Sequence, residues 1–217
     1  MNFYWVKTNR FIKSIFSKYV WDVPNVENKI YLTFDDGPTP EITEWVLQEL
    51  EKYKAKATFF CIGNNIEKYP QIFEKVITKG HSIGNHTFNH LNGWKTSTDA
   101  YLENSFQWSV ISDQLHYRQL NTEHCKLFRP PYGKIKSSQA KKLRELGYKI
   151  IMWDVLSADF DTSISAEKCI ENVLKNTKSG SIIVFHDSIK AFPRLEYTLP
   201  KVLENLAKKG FVFEKLV

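Results

Sequence analysis

Short apolar runs rich in β-branched and aromatic residues alternate along this chain with stretches of helical period, and that alternation constrains the fold more than any other feature. The apolar runs cover residues 29–34, 57–62, 81–84, 126–129, 149–155, 181–186 and 211–215. Between most of them, residues 41–53, 72–79, 98–117, 138–146, 166–176 and 195–208 repeat apolar side chains at helical spacing. Gly80, Gly147, Gly180 and Gly210 each sit just past a helical stretch, where a left-handed capping residue is wanted, and a strand follows almost at once. Seven strands alternating with about six helices predict an α/β fold with a mostly parallel sheet. An open doubly wound sheet and a closed barrel both satisfy the pattern. In either, ligand chemistry gathers at the carboxyl ends of the strands, so functional residues are expected just after strands. A length of 217 residues suits one well-filled domain and is short for two.

Charge is unevenly spread. Lys7, Arg10, Lys13 and Lys18 supply +4 of the net +6 from the first 21 residues, which hold no Asp or Glu. The remaining chain has no general basic field, so no nucleic-acid partner is expected. Phe11, Ile12, Ile15, Phe16, Tyr19 and Val20 repeat at helical spacing within that segment. Residues 1–24 therefore read as a basic amphipathic segment that either packs on the domain, residues 25–217, or lies on a membrane surface. Basic residues interrupt every apolar stretch before Val20, so no signal peptide is recognised, and no run elsewhere nears the roughly 18 residues of a membrane span. Cys61, Cys125 and Cys169 are widely spaced, form no CxxC pair and are expected as buried thiols, which fits a reducing compartment. The fifteen Phe, ten Tyr and six Trp are expected mainly in the core, a sugar-stacking surface being the alternative use.

Four segments carry residues suited to chemistry. In Thr33-Phe34-Asp35-Asp36-Gly37-Pro38 two adjacent carboxylates follow a strand, and a metal ion would relieve their repulsion while leaving one free to accept a proton from water. Three of the six histidines fall in residues 81–90: His81, His86 and His90. His86 and His90 are four apart, so on a helical turn both imidazoles face one way, as metal ligands do. The residues between them are Thr-Phe-Asn-containing rather than a zincin HExxH, which speaks against a peptidase. In Phe128-Arg129-Pro130-Pro131-Tyr132-Gly133 the prolines have no N–H, so the Tyr132 amide is the first that could face an oxyanion, and Arg129 could orient a carboxylate. The run at 182–185 ends in His186-Asp187, where the histidine could protonate a leaving group and Asp187 could hold its tautomer. His116 and His124 have no such partner.

The order TFDDG, an HTxxH-type histidine pair, an Arg-Pro-Pro-Tyr-Gly loop and a strand ending in His-Asp resembles the polysaccharide deacetylase family of NodB-like proteins, carbohydrate esterase family 4, from about Ile30 to Val217. The resemblance implies a single-domain distorted (β/α) barrel with about seven parallel strands. It implies Asp35 as catalytic base, Asp36, His86 and His90 as metal ligands, and Arg129 as the residue orienting the base. The Tyr132 amide would be the oxyanion donor and His186 the general acid. One motif departs. The family commonly carries an Asp-x-x-Asp-Trp run whose first Asp supports the catalytic histidine, and here Leu156-Ser157-Ala158-Asp159-Phe160 stands in its place. Asp154, two positions earlier and on the same side of a strand, or Asp187 is expected to substitute.

The expected activity is metal-dependent removal of acetyl groups from an acetylated glycan, N-acetylglucosamine first among the candidates. The expected cofactor is one divalent ion, Zn2+ ahead of Co2+ or Ni2+. The rival expectation is a weak or inactive carbohydrate-binding protein on the same fold, resting on Leu156. The unrecognised signal peptide favours the cytoplasm or a membrane periphery, whereas a cell-wall substrate favours the envelope.

Overall fold

Strand β1 (Lys29–Asp35) is buried from Ile30 onward, as a strand covered on both faces must be. In this computed structural model, which describes residues 4–114 and 126–217, β1 lies mid-sheet. The other strands are β2 (Ala57–Cys61), β3 (Ser82–Asn85), β4 (Leu127–Phe128), β5 (Lys149–Ile150), β6 (Val155–Leu156), β7 (Ile182–His186) and β8 (Val212–Phe213). They form a curled parallel sheet ordered β5-β4-β3-β2-β1-β7-β6, with β8 pairing the start of β1 at Lys29 and Ile30. This is a half-barrel form of the expected distorted barrel. The run at 149–155 was expected as one strand. It is two, because Ile151–Asp154 cross from one edge of the sheet to the other.

Eight helices pack around the sheet among the described residues: α1 (Arg10–Ile15), α2 (Ile42–Lys52), α3 (Gly63–Lys68), α4 (Pro70–Thr78), α5 (Thr98–Gln114), α6 (Ser137–Glu145), α7 (Ala166–Asn176) and α8 (Phe192–Lys208). The four glycines expected to end helical stretches all take a left-handed backbone. The largest core cluster joins β1, β2 and β7 to α2, α4 and α8, with Phe34 stacked between Phe59 at 5.1 Å and Phe185 at 5.9 Å. Cys61 and Cys169 are buried free thiols, while Cys125, His116 and His124 lie outside the described residues.

The N-terminal segment closes the gap between β5 and β6. Val20 donates to Ile150 O (2.8 Å) and accepts from Met152 N (2.7 Å), Thr8 N reaches Asp154 O (2.9 Å), and Leu156 N reaches Val6 O (2.8 Å). Lys7 and Lys13 turn inward onto Asp154, which is fully buried and also accepts from Ser181 Oγ at 2.6 Å. Burial works to raise the Asp154 pKa, but these donors outweigh it and hold the carboxyl below its usual range. Half of the segment's basic charge thus serves an internal contact, while Phe11, Ile15 and Phe16 remain exposed. Among the described residues no helix is long and apolar enough to cross a membrane.

Candidate active site

The Asp-Asp pair sits at the carboxyl end of β1, in line with the expectation for this fold. Asp35 is in register with His186 on the neighbouring β7, so two adjacent parallel strands deliver both side chains to one place. Asp36, just past the strand end, takes a left-handed backbone (φ 82°). Asn65 Nδ2 holds the Asp36 carbonyl at 2.8 Å, and Gly37 N donates to Asp187 Oδ1 at 3.1 Å. A Cβ on Gly37 would lie 2.1 Å from Asp187 Oδ2, so only glycine fits this turn.

His86 follows β3 and is buried. Its Nδ1 lies 2.7 Å from the Arg129 carbonyl, a contact that requires the proton on Nδ1 and leaves the Nε2 lone pair facing Asp36. Burial pushes the His86 pKa down to about 4, which keeps the imidazole neutral. His90 reaches the same point by a route different from the expected helical turn: residues 86–90 form a bend in which Thr87 (φ 61°) and His90 (φ 54°) are both left-handed. Side chains hold the bend, since Asn85 Oδ1 accepts from Thr87 N (2.8 Å) and Thr87 Oγ1 from Leu91 N (3.0 Å). Asn104 Oδ1 takes both Phe88 N and Asn89 N, at 3.0 and 2.9 Å.

One carboxylate oxygen and two imidazole nitrogens meet here. Asp36 Oδ1 lies 3.2 Å from His90 Nε2 and 3.6 Å from His86 Nε2, yet it is buried without a well-formed hydrogen bond. The three donor atoms all fall within 4.8 Å of one another. Converging lone pairs around an orphaned, buried oxygen fit a divalent cation bound by neutral imidazoles and a carboxylate. Burial works to raise the Asp36 pKa, but His90, His186 and His86 outweigh it and hold the carboxyl well below the usual range.

Arg129, at the end of β4, is completely buried. Its Nη1 donates to Asp35 Oδ1 (2.7 Å) and Thr33 Oγ1 (2.6 Å), Nη2 to Met152 O (3.0 Å), and the guanidinium lies 4.1 Å from the Phe60 ring centre. Such a fixed fork leaves the Asp35 carboxylate one orientation. After Pro130 and Pro131 the chain turns at Tyr132 (φ 60°), whose ring lies 4.6 Å from that of His90. Gly133 lets Trp153 pack against the loop, since a Cβ there would stand 2.6 Å from the indole.

His186 is held by neither of the two expected carboxylates. Its Nδ1 lies 2.8 Å from Asp159 Oδ1, and its backbone N donates to Asp159 Oδ2 at 2.8 Å. Asp154 points to the lysines of the N-terminal segment instead, and Asp187 accepts from Gly37 N and from Thr43 Oγ1 at 2.5 Å, with burial pushing its pKa up to about 8. Alternation along a strand does not reach Asp159, because β6 ends at Leu156 and Ala158 reverses the chain with a φ of 65°. Burial works to lower the His186 pKa, but the Asp159 carboxylate, with Asp36 and Asp35, raises it to about 9. Phe160, which stands in the tryptophan position, meets the His186 ring edge-on at 5.1 Å and is itself met by Tyr4 at 5.4 Å. His81 takes no part: its Nδ1 accepts from Ala57 N at 3.1 Å at the opposite end of β3.

Asp35, Asp36, His86, His90, Tyr132 and His186 all line one cleft of about 1040 Å³, at the upper end of the roughly 300–1,000 Å³ of ligand sites. Leu156 is among its walls, and Lys95, Lys134 and Lys190 add positive charge.

Known proteins share this arrangement of sequence and fold. The family model described as polysaccharide deacetylase matches residues 22–151. A peptidoglycan-N-acetylglucosamine deacetylase of Bacillus cereus is 39% identical over 194 residues, covering 89% of this chain and 88% of that protein. A chitooligosaccharide deacetylase of Azorhizobium caulinodans is 35% identical over 161 residues, 74% of each chain. Among solved structures, a peptidoglycan N-acetylglucosamine deacetylase in complex with 4-naphthalen-1-yl-N-oxidanyl-benzamide superposes with a TM-score of 0.84 at 34% identity, over 92% of this chain and 91% of that one. Matched over more than half its length by the family model and over nearly nine tenths by a relative, the chain belongs to the polysaccharide deacetylase family.

Proposed function

We propose that this chain is a metal-dependent hydrolase that removes N-acetyl groups from N-acetylglucosamine units of a glycan. The observation that carries the reading is the meeting in one cleft of the Asp36–His86–His90 donors with two buried pairs, Asp35–Arg129 and His186–Asp159. Asp36, His86 and His90 would hold the ion, which when bound supplies Lewis acidity toward a carbonyl and acidity to water. Asp35, fixed by Arg129, takes the proton of the attacking water. The Tyr132 amide donates to the developing oxyanion. His186, kept charged by Asp159, delivers its Nε2 proton to the departing amine as the C–N bond breaks, and acetate leaves with the water's oxygen.

Two imidazoles and a carboxylate suit zinc, which is the proposed ion, with cobalt and nickel as alternatives. The proposed polymer is peptidoglycan, the substrate in the names of several relatives, and Lys95, Lys134 and Lys190 would meet its carboxylates. The location proposed with that polymer is the cell envelope. The rival reading, an inactive glycan binder, rested on Leu156, and the Asp159–His186 contact removes that ground.

The test is acetate release from N-acetylglucosamine oligomers and from peptidoglycan by chelated and by zinc- or cobalt-reloaded protein. Release only after reloading, lost in Asp36→Ala and His90→Ala, is the expected result. Full turnover in either variant would overturn the scheme.

A further inference from the structure

Thr43 and Asp187 are buried polar residues that lie behind the catalytic cleft rather than among its walls. Thr43 stands in the first turn of α2, and Asp187 follows directly on β7. They meet beside the loop that leads away from Asp36. Thr43 Oγ1 donates to Asp187 Oδ2 at 2.5 Å and accepts from Thr39 N at 2.8 Å. The other carboxyl oxygen, Oδ1, accepts from Gly37 N at 3.1 Å, and the Asp187 amide donates to the Asp35 carbonyl at 3.1 Å. One residue thus touches the backbone of Asp35 and of Gly37 and is bonded to His186.

We infer that Thr43 and Asp187 are positioning residues for the metal site: their hydroxyl–carboxyl pair fixes the Asp36 loop against the strand ends that carry Asp35 and His186. The inference rests on the deacetylase reading. Asp36 Oδ1 is buried without a well-formed hydrogen bond, so the backbone on either side has to set where it stands. Three contacts hold that backbone: Asn65 Nδ2 on the Asp36 carbonyl, Ile62 N on the Gly37 carbonyl at 2.9 Å, and Asp187 Oδ1 on Gly37 N. The third alone among them reaches β7, and with it the proton donor. The fit is close, since a Cβ on Gly37 would stand 2.1 Å from Asp187 Oδ2. A ligand placed before the ion arrives spares the cost of ordering it on binding. Groups that hold a ligand in place are accordingly worth about ten- to a hundredfold in metal affinity.

The experiment uses the full chain and measures zinc affinity by competition with a chromophoric chelator, beside kcat and KM for acetate release from N-acetylglucosamine oligomers. Thr43→Val fills the same space without the hydroxyl. Its zinc affinity should fall about tenfold, or about 1.4 kcal/mol, and its kcat should fall with KM little changed. Thr43→Ser returns the hydroxyl without the methyl group and should bind zinc within about twofold of the parent. A Thr43→Val protein with the parent's zinc affinity and kcat, changed only in the thermal midpoint of its metal-free form, would make the pair a packing contact. That result would overturn the inference and leave the deacetylase reading intact. Thr43→Ser as weak as Thr43→Val would trace the loss to packing and overturn it too. Should Thr43→Val fail to fold, Asp187→Asn, which keeps an oxygen for Gly37 N, carries the same test: unchanged zinc affinity overturns the inference. An unmodified chain that neither binds zinc nor releases acetate would overturn both readings.

Discussion

Strand β1 is held on both sides, by β2 and β7, through continuous parallel ladders, whereas the seam between β5 and β6 is closed by an irregular segment through single bridges and the contacts of two partly exposed lysines to the buried Asp154. The proton-transfer groups Asp35 and His186 stand on the ladders. A groove beside them, lined by Tyr4, Trp5, Trp94 and Trp153, stands partly on the seam. Chemistry that tolerates little displacement is thus carried by elements whose backbone is fixed on both sides by continuous ladders, and the aromatic surface beside it in part by a segment held at single points.

If the middle of the sheet is the rigid part, removing its buried charge should be the most damaging change. Arg129→Leu strands Asp35 and leaves Thr33 and the Met152 carbonyl without their donor, and should lower the unfolding free energy by about 3–5 kcal/mol in denaturant titrations. A second probe of the same ladders is pH. Burial, with Lys56 and Lys215 nearby, lowers the His81 pKa from 6.5 to about 4. The unfolded chain therefore binds the extra proton, and stability falls as pH drops through that window, by about 3 kcal/mol as an upper figure. His86 acts in the same direction, so His81→Gln should flatten the profile of metal-stripped protein between pH 7 and pH 4 without abolishing its slope.

Two smaller effects sharpen the contrast. Asp159→Asn keeps the shape of the support but removes the charge that holds His186 protonated. A loss of about a hundredfold in kcat is expected, with KM little changed and the alkaline limb of the pH–rate profile moved to lower pH. At the seam, Asp154→Ala should cost only about 2 kcal/mol, because Lys7 and Lys13 are partly exposed and can return to water. Hydrogen exchange should then speed in residues 4–24 ahead of β1. Equal loss of protection in both would contradict the division of labour.

The parts of the site that a reader of the sequence can assemble are those carried directly on strand ends. Asp35, Asp36, His86, Arg129 and His186 follow apolar runs, and position after a strand is what brings them together. His90 joins them by a bend, so its spacing of four pointed to the correct partner through the wrong geometry. Asp159 lies within the motif, but strand alternation points to Asp154, and alternation fails at Ala158, where the chain turns back. The role of Lys7 and Lys13 was not legible at all: their partner lies more than a hundred residues away, and local patterning carries no information about it.

Asp36, Thr87, His90 and Tyr132 all adopt backbone conformations that side chains with a Cβ resist, at a cost of order 1–3 kcal/mol each. Glycine would relax any of them, and in doing so would surrender a ligand, a bend or the ring beside His90. Selection for thermal endurance and selection for turnover therefore pull this loop system in opposite directions, and an ancestor or engineered descendant that drifts toward stability would be expected to lose its catalytic residues at these positions first.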